Sequence, residues 1–73
     1  MIKSMEDEIG LVCNIIVINN DIYVYLKLFE ESQGKVLSCR SIVEKSVHKF
    51  INYKQIVSII SCYPYEKKFL III

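Results

Sequence analysis

Isoleucine and valine dominate this sequence, and their placement constrains the fold more than any other feature. The 73 residues include 14 Ile and 7 Val but no Ala, Thr or Trp. Side chains branched at Cβ lose rotamer freedom in a helix and pack well on a pleated surface. Polar breaks at residues 19–21, 30–34 and 52–55 divide the apolar runs into short segments. The pattern predicts a mainly β protein.

We predict a short N-terminal helix followed by five strands. Ser4 precedes three acidic residues, which is typical of a helical first turn, so the helix is placed at residues 1–9. The strands are predicted at residues 10–18, 22–29, 35–43, 50–51 and 56–62, with a polar connection at residues 44–48. The first of these strands is expected to be buried on most of its length. Because the connections are too short for parallel crossovers, we expect a bent antiparallel sheet that forms an Sm-like or SH3-like small barrel.

The chain is predicted to form one domain over residues 1–73, with the strands at 10–63 and a C-terminal tail at 64–73. Pro64 is expected to end the strand ladder, since proline has no N–H to donate. The apolar end of the tail is expected to add a strand or to dock on a neighbour. A domain of this length buries only about 60% of its unfolded surface, so partner subunits are expected.

The sequence carries no pattern of an enzyme. It has no phosphate-binding loop, no nucleophile elbow and no zinc-protease motif, and His48 is its only histidine. The three cysteines lie more than twenty residues apart and do not have zinc-ligand spacing. We therefore predict no enzymatic activity, no metal, no cofactor and no small-molecule substrate. No apolar run approaches the roughly 20 residues that span a bilayer, so no membrane association is expected, and the free thiols favour the nucleus or cytoplasm.

Aromatic and basic side chains alternate on one predicted strand. Tyr23, Tyr25 and Lys27 share a face, an arrangement that can stack bases and contact phosphates. The alternative is that the rings cover a subunit boundary. A net charge of +1 supplies no broad basic patch, so RNA contact would depend on a few local residues.

The order of elements resembles the Sm and Sm-like family, over residues 4–63. The first family motif is matched by residues 16–24 and 29–37, and the second by residues 50–59, in which a polar break separates two apolar flanks. The resemblance implies a ring in which strand four of one subunit pairs with strand five of the next. It implies other Sm-like subunits and uridine-rich RNA as partners.

The residues at the family's nucleotide pocket differ from the family pattern. Ser32 or Gln33 stands near the stacking position, Gly34 replaces an Asn, and Asn52 and Tyr53 replace an Arg-Gly pair. The resulting RNA-binding candidates are Gln33, Gly34, Asn52, Tyr53 and Lys54. The candidates for the subunit interface are Ile56, Val57, Ser58, Ile59 and Ile60.

Two functions from different classes are expected on this basis. The first is a ring subunit in an RNA-processing particle of the splicing or mRNA-decay kind, contributing mainly strand pairing between subunits. The second is a scaffold of the Gemin type, which keeps the barrel and the edge pairing but lacks the nucleotide pocket. An unrelated small β-barrel binding module of the SH3-like or OB type, or an α+β fold, stays open at this stage.

Overall fold

Residues 1–72 form one antiparallel β-sheet of seven strands, which confirms the predicted mainly β class. The computed structural model describes residues 1–72. The strands are β1 (Ile2–Ser4), β2 (Ile9–Ile18), β3 (Asp21–Val36), β4 (Cys39–Asn52), β5 (Ile56–Ile59), β6 (Cys62–Tyr65) and β7 (Lys68–Ile71). A 3-10 turn at Tyr53–Gln55 separates β4 from β5. The strand order across the sheet is β5-β1-β2-β3-β4-β7-β6.

Two-residue turns shape the central three strands. Residues 19–20 join β2 to β3, and residues 37–38 join β3 to β4. All four residues have positive φ, as type I′ hairpin turns require. The first turn is predicted correctly, because Asn tolerates this conformation. In the second turn, Leu37 has a φ of 53°. Leucine rarely adopts a positive φ, so the sequence did not indicate a turn at this position.

The predicted N-terminal helix is wrong, because residues 2–4 form strand β1 between β5 and β2. Ser4 caps a tight turn instead of a helix: its hydroxyl oxygen accepts weak hydrogen bonds from the N–H groups of Glu6 and Glu8, at 3.3 and 3.4 Å. Asp7 takes a positive φ of 66°, which a helix could not contain. Burial of Ile2 in the core favours the strand over the helix.

The prediction of five strands is also wrong, because two polar segments taken for connections lie inside long strands. Residues 30–34 belong to β3 and residues 44–48 belong to β4. Each segment coincides with a shift in the β3–β4 register, where Gly34 and Ser46 have positive φ. Bulges of this kind accept polar residues without ending the strand, so the predicted strand at 50–51 is part of β4. The predicted strand at 35–43 is divided between β3 and β4 by the turn at residues 37–38.

The C-terminal tail adds to the sheet, which was one of its two predicted roles. Strands β6 and β7 form a hairpin, and β7 pairs with β4 through Ser41 and Ile42. Pro64 does not end the ladder, because β6 is an edge strand and a proline there can leave its nitrogen facing away from the partner strand. Ile73 lies outside the described residues.

Chain connectivity forces the sheet to curl. Its two edge strands, β5 and β6, are joined by only Ile60 and Ser61. A flat sheet of seven strands would be about 29 Å wide, whereas this link spans at most about 11 Å. The sheet therefore folds back until its edges approach each other. No ladder joins β5 to β6 within residues 1–72, so the expected barrel is an open, curled sheet.

The core lies inside this curl. Its buried side chains come from β1, β3 and β4, with half-buried Ile56 of β5 packed against them: Ile2, Val24, Leu26, Leu28 and Ile51. Strict alternation along β3 places Val24, Leu26 and Leu28 inside. Gly10 sits where an added Cβ would lie 3.1 Å from the Leu26 Cβ, so a glycine permits the close approach.

Truncation of Leu70 tests whether β7 is part of the fold. Leu70 is 5% exposed, so Leu70→Ala should lower the free energy of unfolding by about 2–5 kcal/mol, measured by urea denaturation. Ile72→Ala is the matched control, because Ile72 is 54% exposed and its truncation should change stability little. Equal effects of the two substitutions would contradict the packing of β7.

Candidate nucleic-acid and subunit interfaces

The structure does not bring the predicted RNA-binding residues together. Asn52 lies opposite Tyr23 at one end of the β3–β4 pair. Gln33 lies ten residues further along β3, a path of about 33 Å at 3.3 Å per residue. Gly34 is beside Gln33, in the bulge of β3. The predicted pocket therefore falls into two separate halves within one chain.

The polar groups of Asn52 serve the local structure. Its side-chain oxygen accepts the Lys54 N–H at 3.0 Å, and its amide donates to Asp21 at 2.8 Å. Its own backbone N–H donates to the Gln55 side chain, which completes a capping box around the 3-10 turn. These bonds fix the turn at the predicted polar break and leave little hydrogen-bonding capacity for a base. Tyr53 and Lys54 are exposed on this turn.

The predicted aromatic row lies on the outer face of β3, as its spacing indicates, and β4 enlarges it. The Tyr25 ring stacks on His48 at 5.2 Å with an interplanar angle of 12°, and contacts Phe50 at 4.5 Å. Phe50 is more than half exposed. Lys27, the basic member of the row, is 3.4 Å from the Glu44 carboxylate. The face therefore offers rings for stacking, but its lysine is partly neutralised.

The predicted subunit-interface residues lie at or beside an edge of the sheet. Strand β5 pairs with β1 on one side and with no described strand on the other. The Ile60 N–H donates to the Met1 carbonyl at 2.9 Å, so by strand alternation the backbone groups of Ser58 also face β1 and those of Ile59 face outward. Ile59 is 84% exposed. This edge contains neither proline nor charge to protect it.

The second free edge of the sheet belongs to β4. On its side away from β3, ladder pairing within residues 1–72 involves only Ser41 and Ile42, which contact β7. The remainder of β4, residues 43–52, continues beyond the end of β7. Charged residues Glu44, Lys45 and Lys49 occupy this stretch.

A third free edge belongs to β2 and was missed by the sequence prediction. Strand β1 pairs only with Ile9 and Gly10, so residues 11–18 have β3 on one side and no described strand on the other. The expected burial of this segment is wrong: Ile15 and Val17 are 63% and 67% exposed. The sequence carried one signal of this exposure: the apolar segment that forms β2 is much longer than the N-terminal segment that pairs with it.

An ion-pair cluster fastens the N-terminal turn to β4. The Lys49 ammonium lies 2.6 Å from a Glu6 oxygen and 2.7 Å from a Glu8 oxygen. The hydrogen bond and positive charge of Lys49 lower the pKa of Glu6 below its ordinary value of 4.5. The same contacts raise the pKa of Lys49. Because Glu6 is exposed and the other two groups are only partly buried, the cluster orients the turn more than it stabilises the fold.

A cavity of about 550 Å³ lies where the two edges of the sheet approach. Three charged residues line it beside apolar ones: Lys3, Asp7 and Arg40, with Ile59 of β5, Ile60, Ile71 and Ile72. Each charged group already has a partner: Lys3 binds Asp7 at 2.7 Å, and Arg40 binds Glu31 at 2.7 Å. The cavity therefore presents no uncompensated charge to a ligand.

The described part of the chain contains no cluster of three or more His, Cys, Asp or Glu side chains suited to a metal. Cys13, Cys39 and Cys62 are all free thiols. No helix in residues 1–72 has the length and hydropathy to cross a membrane. Comparisons with protein-family models, curated proteins and solved structures found no match.

The Lys49 cluster predicts a specific pH dependence. A carboxylate whose pKa is lower in the folded state contributes stability above its unfolded pKa and loses it as the pH falls through the folded value. For Glu6 this loss begins as the pH falls below 4.5. Lys49→Met should raise the Glu6 pKa, measured by NMR titration, and should reduce the fall in the urea midpoint between pH 6 and pH 3. Lys45→Met, an exposed change on the same strand, is the control, and an equal response would contradict the assignment.

Proposed function

We propose that this chain is a subunit of an assembly held together by strand-edge pairing, arranged like an Sm-type ring. The neighbouring subunits would be Sm-like proteins or further copies of this chain, and the pairing would join β4 of one subunit to β5 of the next. The observation that carries the proposal is the pair of free edges on β4 and β5. The particle would belong to RNA processing, as the family resemblance implies.

The two edges suit head-to-tail pairing. They belong to different strands that are not neighbours in the sheet, and the 3-10 turn at Tyr53–Gln55 connects them within the chain. Pairing of two different edges is heterologous and generates a ring when the rotation closes. The same contact would cover the apolar side chains of β5. It would therefore add buried apolar surface to a domain whose own core is small.

A second candidate is a scaffold of similar shape that does not bind RNA. It is supported by the separation of Gln33 and Gly34 from Asn52, and by the structural hydrogen bonds that Asn52 makes. As a scaffold, the protein would act only by pairing its strand edges with other subunits. RNA contact by the first candidate would fall on the aromatic row of Tyr25, His48 and Phe50, where rings are exposed for stacking.

Ile59→Pro tests the pairing of β5. The Ile59 N–H faces outward, so a proline there should leave the β1–β5 pairing intact while preventing a neighbouring strand from pairing with this edge. Sedimentation should show a smaller complex and circular dichroism an unchanged sheet. Ile59→Thr keeps the N–H and is the control. A wild-type protein that stays monomeric with its expected partners present would also refute the proposal.

Crosslinking separates the two candidates. In a reconstituted assembly, photo-crosslinking to uridine-rich RNA should label Tyr25 or Phe50 if the chain binds RNA, and Phe50→Ala should reduce labelling severalfold. Phe50 is exposed, so this substitution should preserve the fold. Stable assembly with no crosslink anywhere on the chain would select the scaffold.

A further inference from the structure

We infer that β2 is a self-association edge, on which two copies of this chain pair antiparallel about Ile16. This contact is distinct from the proposed β4–β5 pairing and does not depend on it. The partner is a second copy of the same chain, and the result is a continuous sheet through both molecules.

The backbone of β2 is arranged for such a contact. The two-residue turn after β2 makes Ile18 and Asp21 a hydrogen-bonded pair, so by alternation Asn14 and Ile16 also bond to β3. The N–H and C=O groups of Ile15 and Val17 therefore point outward. The register from Asn14 to Ile18 is unbroken, since the only β2–β3 shift lies at Cys13.

Apolar side chains on this edge are also exposed to solvent. Ile15 lies opposite buried Val24, so Ile15 and Val17 project on the core side of the sheet. Both are nevertheless about two-thirds exposed, because β1 ends at the level of Gly10. Asn14 shields only one outward group: its side-chain oxygen accepts the Ile15 N–H at 2.9 Å and would release it on pairing.

The absence of charge on β2 allows a second copy to pair with it. Residues 9–20 contain no charged side chain, so two β2 strands can face each other without repulsion. Antiparallel pairing about Ile16 places Ile15 opposite Val17 of the other copy and Val17 opposite its Ile15. The pairing is isologous, and four exposed apolar side chains meet on one face.

The exposed area fits a dimer. A monomer of 8.5 kDa is expected to expose about 4,650 Å², whereas this chain exposes 5233 Å². The excess of roughly 600 Å² approaches the roughly 800 Å² per partner of a standard interface. Four exposed apolar side chains lie on the projecting end of β2 and the start of β3: Ile15, Val17, Ile18 and Ile22.

Val17→Pro tests the inference in the full chain. The Val17 N–H faces outward, so the substitution should preserve the β2–β3 ladder and block pairing between copies. The mass measured by light scattering at tens of micromolar should fall twofold, while Val17→Thr should not change it. A monomeric wild-type protein, or a folded Val17→Pro protein of unchanged mass, overturns the inference.

Disulfide trapping gives a second test that does not depend on the folding of the proline variant. In a Cys13→Ser background, Ile16→Cys places two thiols on the dimer axis, where Cα atoms of a non-hydrogen-bonded pair are about 4.5 Å apart. Ile18→Cys is the control, because the Cα atoms of residue 18 in the two chains would be more than 7 Å apart, too far for a disulfide. Oxidised dimer from Ile16→Cys alone supports the pairing, and equal or absent crosslinking refutes it.

Discussion

The two-residue link between β5 and β6 is the constraint on which the rest of the structure depends. It joins the two strands at opposite ends of the spatial order of the seven-stranded sheet, and in a flat sheet these strands would be too far apart for so short a link. Curling brings Ile56 of β5 over the side chains of β3 and β4 and so creates the core. The core is therefore a consequence of chain connectivity as well as of hydrophobic burial.

Curling also determines which surfaces stay open. The strands nearest the link, β1, β5, β6 and β7, are three or four residues long, whereas β2, β3 and β4 have ten or more. Short strands cannot cover long ones, so the far ends of β2 and β4 project with free edges. The elongated shape, 44 Å in its longest dimension, follows from this mismatch. Free edges attract other strands, which is why both proposals concern pairing between chains.

Local chemistry explains which parts of the fold were predictable. The Asn19–Asn20 turn was found because asparagine tolerates positive φ, and the start of β5 was found because the capping box around Asn52 coincides with a polar break. The turn at Leu37–Ser38 carries no such preference, and polar residues 44–48 resemble a loop although they lie within β4. The aromatic row was placed on the correct face of β3, but its stacking with His48 depends on the register with β4.

The sequence by itself determined that this chain is a β protein, since β-branched side chains favour strands and the polar breaks limit their length. It also determined the alternation that buries Val24, Leu26 and Leu28 beneath an outer row of tyrosines. Only the tertiary structure decided that residues 2–4 form a strand, that the two halves of the expected RNA pocket lie apart, and that the apolar end of β2 is exposed. These features depend on pairing between residues distant in sequence, and a local pattern contains no information about which partner strand is long enough to cover another.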